Sequence, residues 1–164
     1  MNQDNRSVKL RILAEPNDAN FGGKVHGGVV MKWIDQAGYA CAAGWSESYC
    51  VTVFVGGIRF IKPIGVGDLV ELEAKIIYTG KSSMHILVSV RSKEIKTGEY
   101  ELTTRCIIVF VATGEDGRPV PVKSWQPVTE EDKKHEHFAK KLMDARETLH
   151  QDLKPFAPEI GSVT

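Results

Sequence analysis

In "NFGGKVHGGVVMKWIDQAG", Asn20 to Gly38, Gly27–Gly28 opens an apolar run and Asp35 follows eight residues after Gly27. A helix starting at this glycine pair leaves its first N–H groups without intrahelical acceptors. Glycine keeps those donors open, and the helix dipole favours negative charge beside them. Such donors suit an oxygen that becomes negative during acyl transfer. Two turns on, a carboxylate has the chemistry to hold or deprotonate a water. Each feature also has a plainer reading. The glycines make a flexible turn, and Asp35 is a solvated or locally paired surface acid. His26, beside the helix start, either orients a substrate, donates to a carbonyl or caps the helix.

Other site chemistries find no pattern here. "GGKVHGG" has neither the G-x-G-x-x-G order of a dinucleotide site nor the G-x-x-x-x-G-K order of a P-loop. The nucleophile elbow G-x-S-x-G is absent. Three cysteines, Cys41, Cys50 and Cys106, show no C-x-x-C spacing and read as free thiols of a reducing compartment. Cys41 and Cys106 fall within apolar elements and read as core. His135 and His137 do not form a helix-face metal pair, and H-E-x-x-H is missing, so no metal site is expected.

The 164 residues suffice for one domain with a substantial core. Acidic and basic residues balance at 21 each, which favours neither nucleic acid nor an anionic membrane. The start, "MNQDNRSVKL", has no apolar leader, and the apolar runs are short for a membrane span. A cytoplasmic protein without membrane insertion is the expectation.

Elements must position these groups. "SVKLRIL" reads as a first strand and "AEPNDANFGGKV" as a loop. A helix follows over His26 to Gly44, with Gly44 as its stop. Val30, Trp33, Ile34, Ala37, Ala40 and Cys41 give it a wide apolar arc, extended by Val29, Met31 and Ala42. The polar arc is narrow, holding Lys32, Asp35, Gln36 and the Tyr39 hydroxyl, so a sheet should wrap this helix. From Cys50 the period becomes two. "CVTVFVGGIRFIKPI", "LVELEAKIIYTG", "KSSMHILVSVRSKEIKTGE" and "YELTTRCIIVFVAT" read as four long strands joined by short turns. Chain neighbours should pair antiparallel. Gly56–Gly57 suggests a bulge or close packing. After residue 125, Thr129 and Asp132 nearly form a capping box. Phe138, Leu142, Ala145 and Leu149 then predict the docked stripe of a charged helix.

These motifs together resemble the hotdog-fold acyl-CoA thioesterases, from about Leu10 to Val122. "EPNDAN" is similar to the family's P-x-D-x-N entry, and "VHGGVVMKWIDQAG" to its GG-x(6)-D helix. Phe60, Pro63, Gly67 and Asp68 match F-x-x-P-x-x-x-G-D. "YTGKSSMHILVSV" and "VFVATGEDGRPVPV" resemble later strands. The order of these motifs carries the resemblance more than any one of them.

The resemblance implies an α+β hotdog fold, with a long central helix wrapped by an antiparallel sheet. Residues 7–125 would form the thioesterase domain and 126–164 a charged helical extension. It implies acyl-CoA hydrolysis to fatty acid and CoA, with CoA as part of substrate and product rather than a cofactor. Asp35 would activate water, Gly27 or Gly28 would bind the thioester carbonyl, and His26 would adjoin them. Gly80, Lys81, Ser82 and Ser83 would approach CoA; Arg59 and Lys62 are candidate phosphate contacts by charge and location alone. Trp33, Trp45 and Phe54 are candidates for shaping the pocket. Protomers would pair sheets edge to edge, the dimer being the minimal active unit and a trimer of dimers the hexamer. Some relatives carry Asn just before V-H-G-G, where this chain has Lys24, with Asn20 nearby but outside the match. A hotdog hydratase and a non-catalytic acyl-CoA-binding protein are the alternatives.

Overall fold

The structure, a computed structural model, describes residues 5–96 and 98–155. Five strands form one antiparallel sheet: β1 (Ser7–Leu13), β2 (Tyr49–Phe60), β3 (Leu69–Thr79), β4 (Ser83–Lys93) and β5 (Glu101–Thr113), in the order β1-β3-β4-β5-β2. Period-two patterning sends Leu72, Ile86 and Ile108 to one face and Glu71, Leu87 and Ile107 to the other.

The meander holds for β3, β4 and β5 and fails for β2. Strand β2 pairs with β5, while β3 pairs with β1 and β4. The linker at 61–68 cannot serve as a hairpin turn. Pro63 lacks an N–H. Val25 N–H donates to Ile64 O at 2.9 Å, Gly67 N–H to Ala14 O at 2.8 Å, and Ala14 N–H to Asp68 O at 2.9 Å. These bonds carry the linker across the sheet end and deliver β3 beside β1. Strand β2, 12 residues long, is left as an edge.

Helix α1 (Gly27–Ser46) lies on the inner face. Ile34, Ala37 and Cys41 are fully buried there with Ile108, Phe110 and Leu72. Each such large aliphatic contributes about 1.5–3 kcal/mol by leaving water. Gly38 sets the approach distance, since a Cβ there would meet the Phe110 ring at 2.8 Å and Ile108 at 2.9 Å. Two expectations for this helix are corrected. It passes Gly44 and stops at Ser46, because Glu47 turns left-handed (φ 53°) and closes onto Ala43 O at 2.8 Å. The sheet wraps the apolar arc of the helix as expected, but that arc is narrower than predicted. Met31, Lys32, Asp35, Gln36 and Tyr39 share a solvent face, so Met31 does not extend the buried arc.

The Gly56–Gly57 expectation holds in both forms. The β2–β5 register shifts between Gly56 and Arg59, and Gly57 has φ 61°. At Gly56 a Cβ would collide with the Phe54 ring.

Helix α2 (Glu130–Leu153) crosses the outer face. Thr129 Oγ1 accepts from Asp132 N–H at 3.0 Å, and Asp132 Oδ2 accepts from Thr129 N–H at 3.1 Å, completing the capping box. Its docked stripe differs from the predicted one. Ala139 and Leu142 meet Ile77, Leu87, Ile107 and Val109, whereas Phe138 is 51% and Leu149 62% exposed. The first turn decides the rotation. Buried Asp132 pairs with Arg6 at 2.9 Å and Lys75 at 3.7 Å, which turns its side of the helix to the sheet. Beneath α2, burial and then the Arg146 charge push His85 down to about 4, so it packs as a neutral ring. No helix among the described residues is long and apolar enough to cross a membrane.

Candidate active site

The loop before α1 is built to expose the helix start. Asn20 Oδ1 accepts from Gly22 N–H at 2.9 Å and Lys24 N–H at 3.2 Å, folding 20–24 into a tight turn. His26 N–H donates to Asp18 O at 2.9 Å. His26 then takes the N-cap position without a side-chain capping bond, and its carbonyl accepts from Val29 and Val30 N–H. The N–H groups of Gly27 and Gly28 belong to the unpaired first turn, and both residues are exposed. A Cβ on Gly28 would meet nothing within 4 Å, and one on Gly27 would touch the Phe60 ring at 3.5 Å.

Beside this helix start is a cavity of about 410 Å³ lined by Asn20, Lys24, Val25, Gly27, Val30, Phe60, Ile61, Lys62, Pro63, Ile64 and Thr104. Apolar walls with two lysines, one asparagine and an open helix N-terminus suit an apolar ligand carrying a polar or anionic head. Lys62 also pairs with Glu101 at 2.9 Å, both half-exposed. Of the expected site residues, Gly27 and Lys62 line this cavity. Trp33, Trp45 and Phe54 do not. Trp33 is buried in the core, Trp45 donates its indole N–H to Lys123 O at 2.8 Å, and Phe54 lies under α2.

Asp35 stands apart from the cavity on the solvent face of α1, ~12 Å along the axis from Gly27. Its Oδ1 accepts the Thr52 hydroxyl of β2 at 2.5 Å. Gly80–Ser83 form the β3–β4 turn, closed by Gly80 N–H to Ser83 O at 2.9 Å. That turn sits at the opposite sheet end from Phe60, ~23 Å away, since Phe60 is level with Val90 and Ser83 lies seven residues from Val90 along β4. Arg59 lies on β2 directly across from Arg105 of β5. One protomer therefore holds the expected residues in separate places.

Asn20, Thr52, Phe60 and Thr104 are the residues that sequence reasoning did not assign. For Thr52 the available signal is its place on a strand following the helix; its pairing with Asp35 depends on register. Burial pushes the Cys41 and Cys106 thiols up to about 12 and raises Cys50, so these groups are inert core residues rather than nucleophiles. No cluster of metal-ligating side chains occurs among the described residues.

Comparison with known proteins gives the same direction. Residues 22–99 match the thioesterase superfamily. Protein VdlD of Helicobacter pylori is 35% identical over 127 residues, spanning 77% of this chain and 72% of that protein. The uncharacterized acyl-CoA thioester hydrolase YkhA of Bacillus subtilis is 33% identical over 147 residues, spanning 90% and 86%. An apo-hexameric acyl-CoA thioesterase crystal structure superposes with a TM-score of 0.85 at 33% identity, covering 90% of this chain and 94% of that one. With its helix-wrapping sheet and matched glycine–helix segment, the chain belongs to the hotdog-fold acyl-CoA thioesterase family.

Proposed function

We propose that this protein hydrolyses acyl-CoA thioesters to a free acid and CoA. The observation that carries the reading is the open helix start at Gly27–Gly28 over an apolar cavity. The thioester carbonyl sits at the helix N-terminus, where the Gly27 or Gly28 N–H stabilises the developing oxyanion. A carboxylate takes a proton from water as water attacks the carbonyl carbon, and the CoA thiolate leaves. His26 adjoins this centre and orients the substrate.

The ~12 Å between Gly27 and Asp35 exceeds hydrogen-bond reach, so one helix does not supply both groups to one carbonyl. A second protomer resolves this. An unpaired 12-residue edge strand invites pairing. Antiparallel pairing of β2 with a second β2 brings the far end of one sheet beside the near end of the other. That arrangement carries one protomer's Asp35 and Gly80–Ser83 turn toward the other's Gly27. Arg59, Lys62, Lys81 and the serines Ser82 and Ser83 then hold the CoA phosphates at the rim. Residues 7–125 carry the reaction, and 126–164 are the extension. The dimer is the minimal active unit, three dimers make a hexamer, and the protein works in the cytoplasm.

A panel of acyl-CoAs of varied chain length, with thiol release followed, tests the activity. Mixing Asp35→Ala chains with Gly28→Val chains tests the shared site. Inactive parents whose mixture regains activity are expected. A mixture as inactive as its parents would return both groups to one protomer. Enoyl-CoA consumption without thiol release would overturn hydrolysis.

A further inference from the structure

Helix α2 is apolar on two sides, and the sheet covers one of them. Phe138, Leu142, Ala145 and Leu149 recur at steps of four, three and four, the spacing of a helix-pairing seam. Their side lies roughly 100° round from Ala139, which faces the sheet. Phe138 and Leu149 are about half exposed or more, and Leu142 sits at the border of both sides. The far side carries Lys140, Glu147 and Gln151 and has no apolar stripe.

The place where α2 crosses the sheet suggests what covers this flank. Leu142, Met143 and Arg146 stand over Phe54 of edge strand β2, with the Arg146 guanidinium 4.7 Å from the Phe54 ring centre. Residues 142–146, just past the middle of α2, therefore reach the open sheet edge, while Ala139 packs farther in over Ile77, Leu87 and Ile107. A two-fold axis that pairs β2 with a second β2 runs beside that stretch and brings a second α2 alongside, antiparallel. Charge favours the same direction. On the side of the stripe, Lys134 and His135 stand near its start and Asp152 near its end. Antiparallel helices set Asp152 of each against Lys134 and His135 of the other, whereas parallel helices would set like against like.

We propose that the exposed flank of α2 is a seam with α2 of a second copy. Phe138 packs against the partner's Leu149, and Leu142 against the partner's Ala145. Large residues alternate with small along this seam, and its centre falls between Met143 and Asp144, above the β2 edge. The inference rests on the edge-to-edge dimer of the functional reading and adds a second contact across the same axis.

Cysteine trapping on the full chain tests the seam and the dimer separately. Three variants are compared under mild oxidation: Phe138→Cys, Leu149→Cys and the double variant. Within one helix the two positions are ~16 Å apart, beyond disulfide reach. The native cysteines are buried and common to all three variants. The expected result is a covalent dimer of twice the 18.2 kDa chain mass in the double variant alone. Cross-linking of both single variants would mean parallel helices and overturn the proposal. No cross-link in any variant, with light scattering still reporting a dimer or a hexamer, would overturn the seam and leave the edge pairing standing. A monomer in light scattering would overturn both.

Discussion

Thr52 on β2 donates its hydroxyl to Asp35 on α1 across 2.5 Å, joining the helix's solvent-facing acid to the open edge of the sheet. The bond holds one carboxylate oxygen and leaves the other for a water. If Asp35 is the base, Asp35→Asn lowers kcat by about 10²- to 10⁴-fold with little change in KM. Thr52→Val leaves the carboxylate present but loosely aimed. A lost hydrogen bond to a charged group is worth about 1.5–3 kcal/mol, or ~10- to 100-fold in kcat. Both residues are exposed, so melting temperatures should barely move. Steady-state thiol release checks both variants, and wild-type kcat in Asp35→Asn would remove it from the chemistry.

Gly28 separates a structural role from a functional one. A Cβ there meets nothing within 4 Å, and the residue does not need a left-handed backbone. Alanine is a better helix former, so Gly28→Ala should keep or raise the melting temperature. The added methyl crowds the approach to the first-turn N–H groups. Misplacing a substrate by an ångström costs about 100-fold, so kcat/KM should fall by ~10- to 100-fold. Thermal melting beside thiol-release kinetics provides the check. Full activity at higher stability would mean that the glycine pair is only a turn.

What the sequence discloses depends on how local the cause is. The strands β3 to β5 announce themselves because one face of each is apolar for a whole strand length. The capping box at Thr129 and Asp132 and the bulge at Gly56–Gly57 are legible for the same reason, since neighbouring residues determine them. The partner of β2 is not local. Only the hydrogen bonds that tie Ile64, Gly67 and Asp68 to distant Val25 and Ala14 show why it leaves β3. The rotation of α2 was hidden because hydropathy ranks Phe138 above Asp132. The Arg6 pair and the small Ala139 reverse that order. The link from Thr52 to Asp35 depends on a strand register set by β5.

Asp132 should govern the docking of α2 and its acid sensitivity. Burial works to raise its carboxyl pKa, but hydrogen bonds from Thr129, Arg6 and the Val128 N–H outweigh it and hold the group well below the usual carboxylate range. A carboxylate depressed in the folded state adds stability above its unfolded pKa of ~4 and loses it as pH falls below that. Asp132→Asn leaves Arg6 facing a neutral group, and breaking such a buried pair costs about 3 kcal/mol. Urea unfolding of both proteins at neutral pH should show that difference. Below ~pH 4 the gap should close progressively. A gap independent of pH would assign the effect to packing rather than to the charge.

Arg59 offers a test of where the nucleotide end of the substrate lies. It stands directly across from Arg105, and like charges in that position destabilise a sheet by about 0.2–1 kcal/mol. No acid among the described residues pairs with Arg59 to offset this. An anion drawn in from solution would. Arg59→Ala should therefore leave stability unchanged or slightly higher. It should raise KM for acyl-CoA by about tenfold or more, with kcat close to wild type, since a charge-assisted bond to phosphate contributes about 1.5–3 kcal/mol. Added salt should weaken wild-type binding more than variant binding, because exposed ion pairs are screened. The matching acyl-pantetheine lacks the phosphates and should show the same KM with both proteins. If Arg59→Ala raises KM equally for both substrates, the arginine acts on the edge strand or on protomer pairing instead. The phosphates then belong with Lys62 or with the Gly80–Ser83 turn.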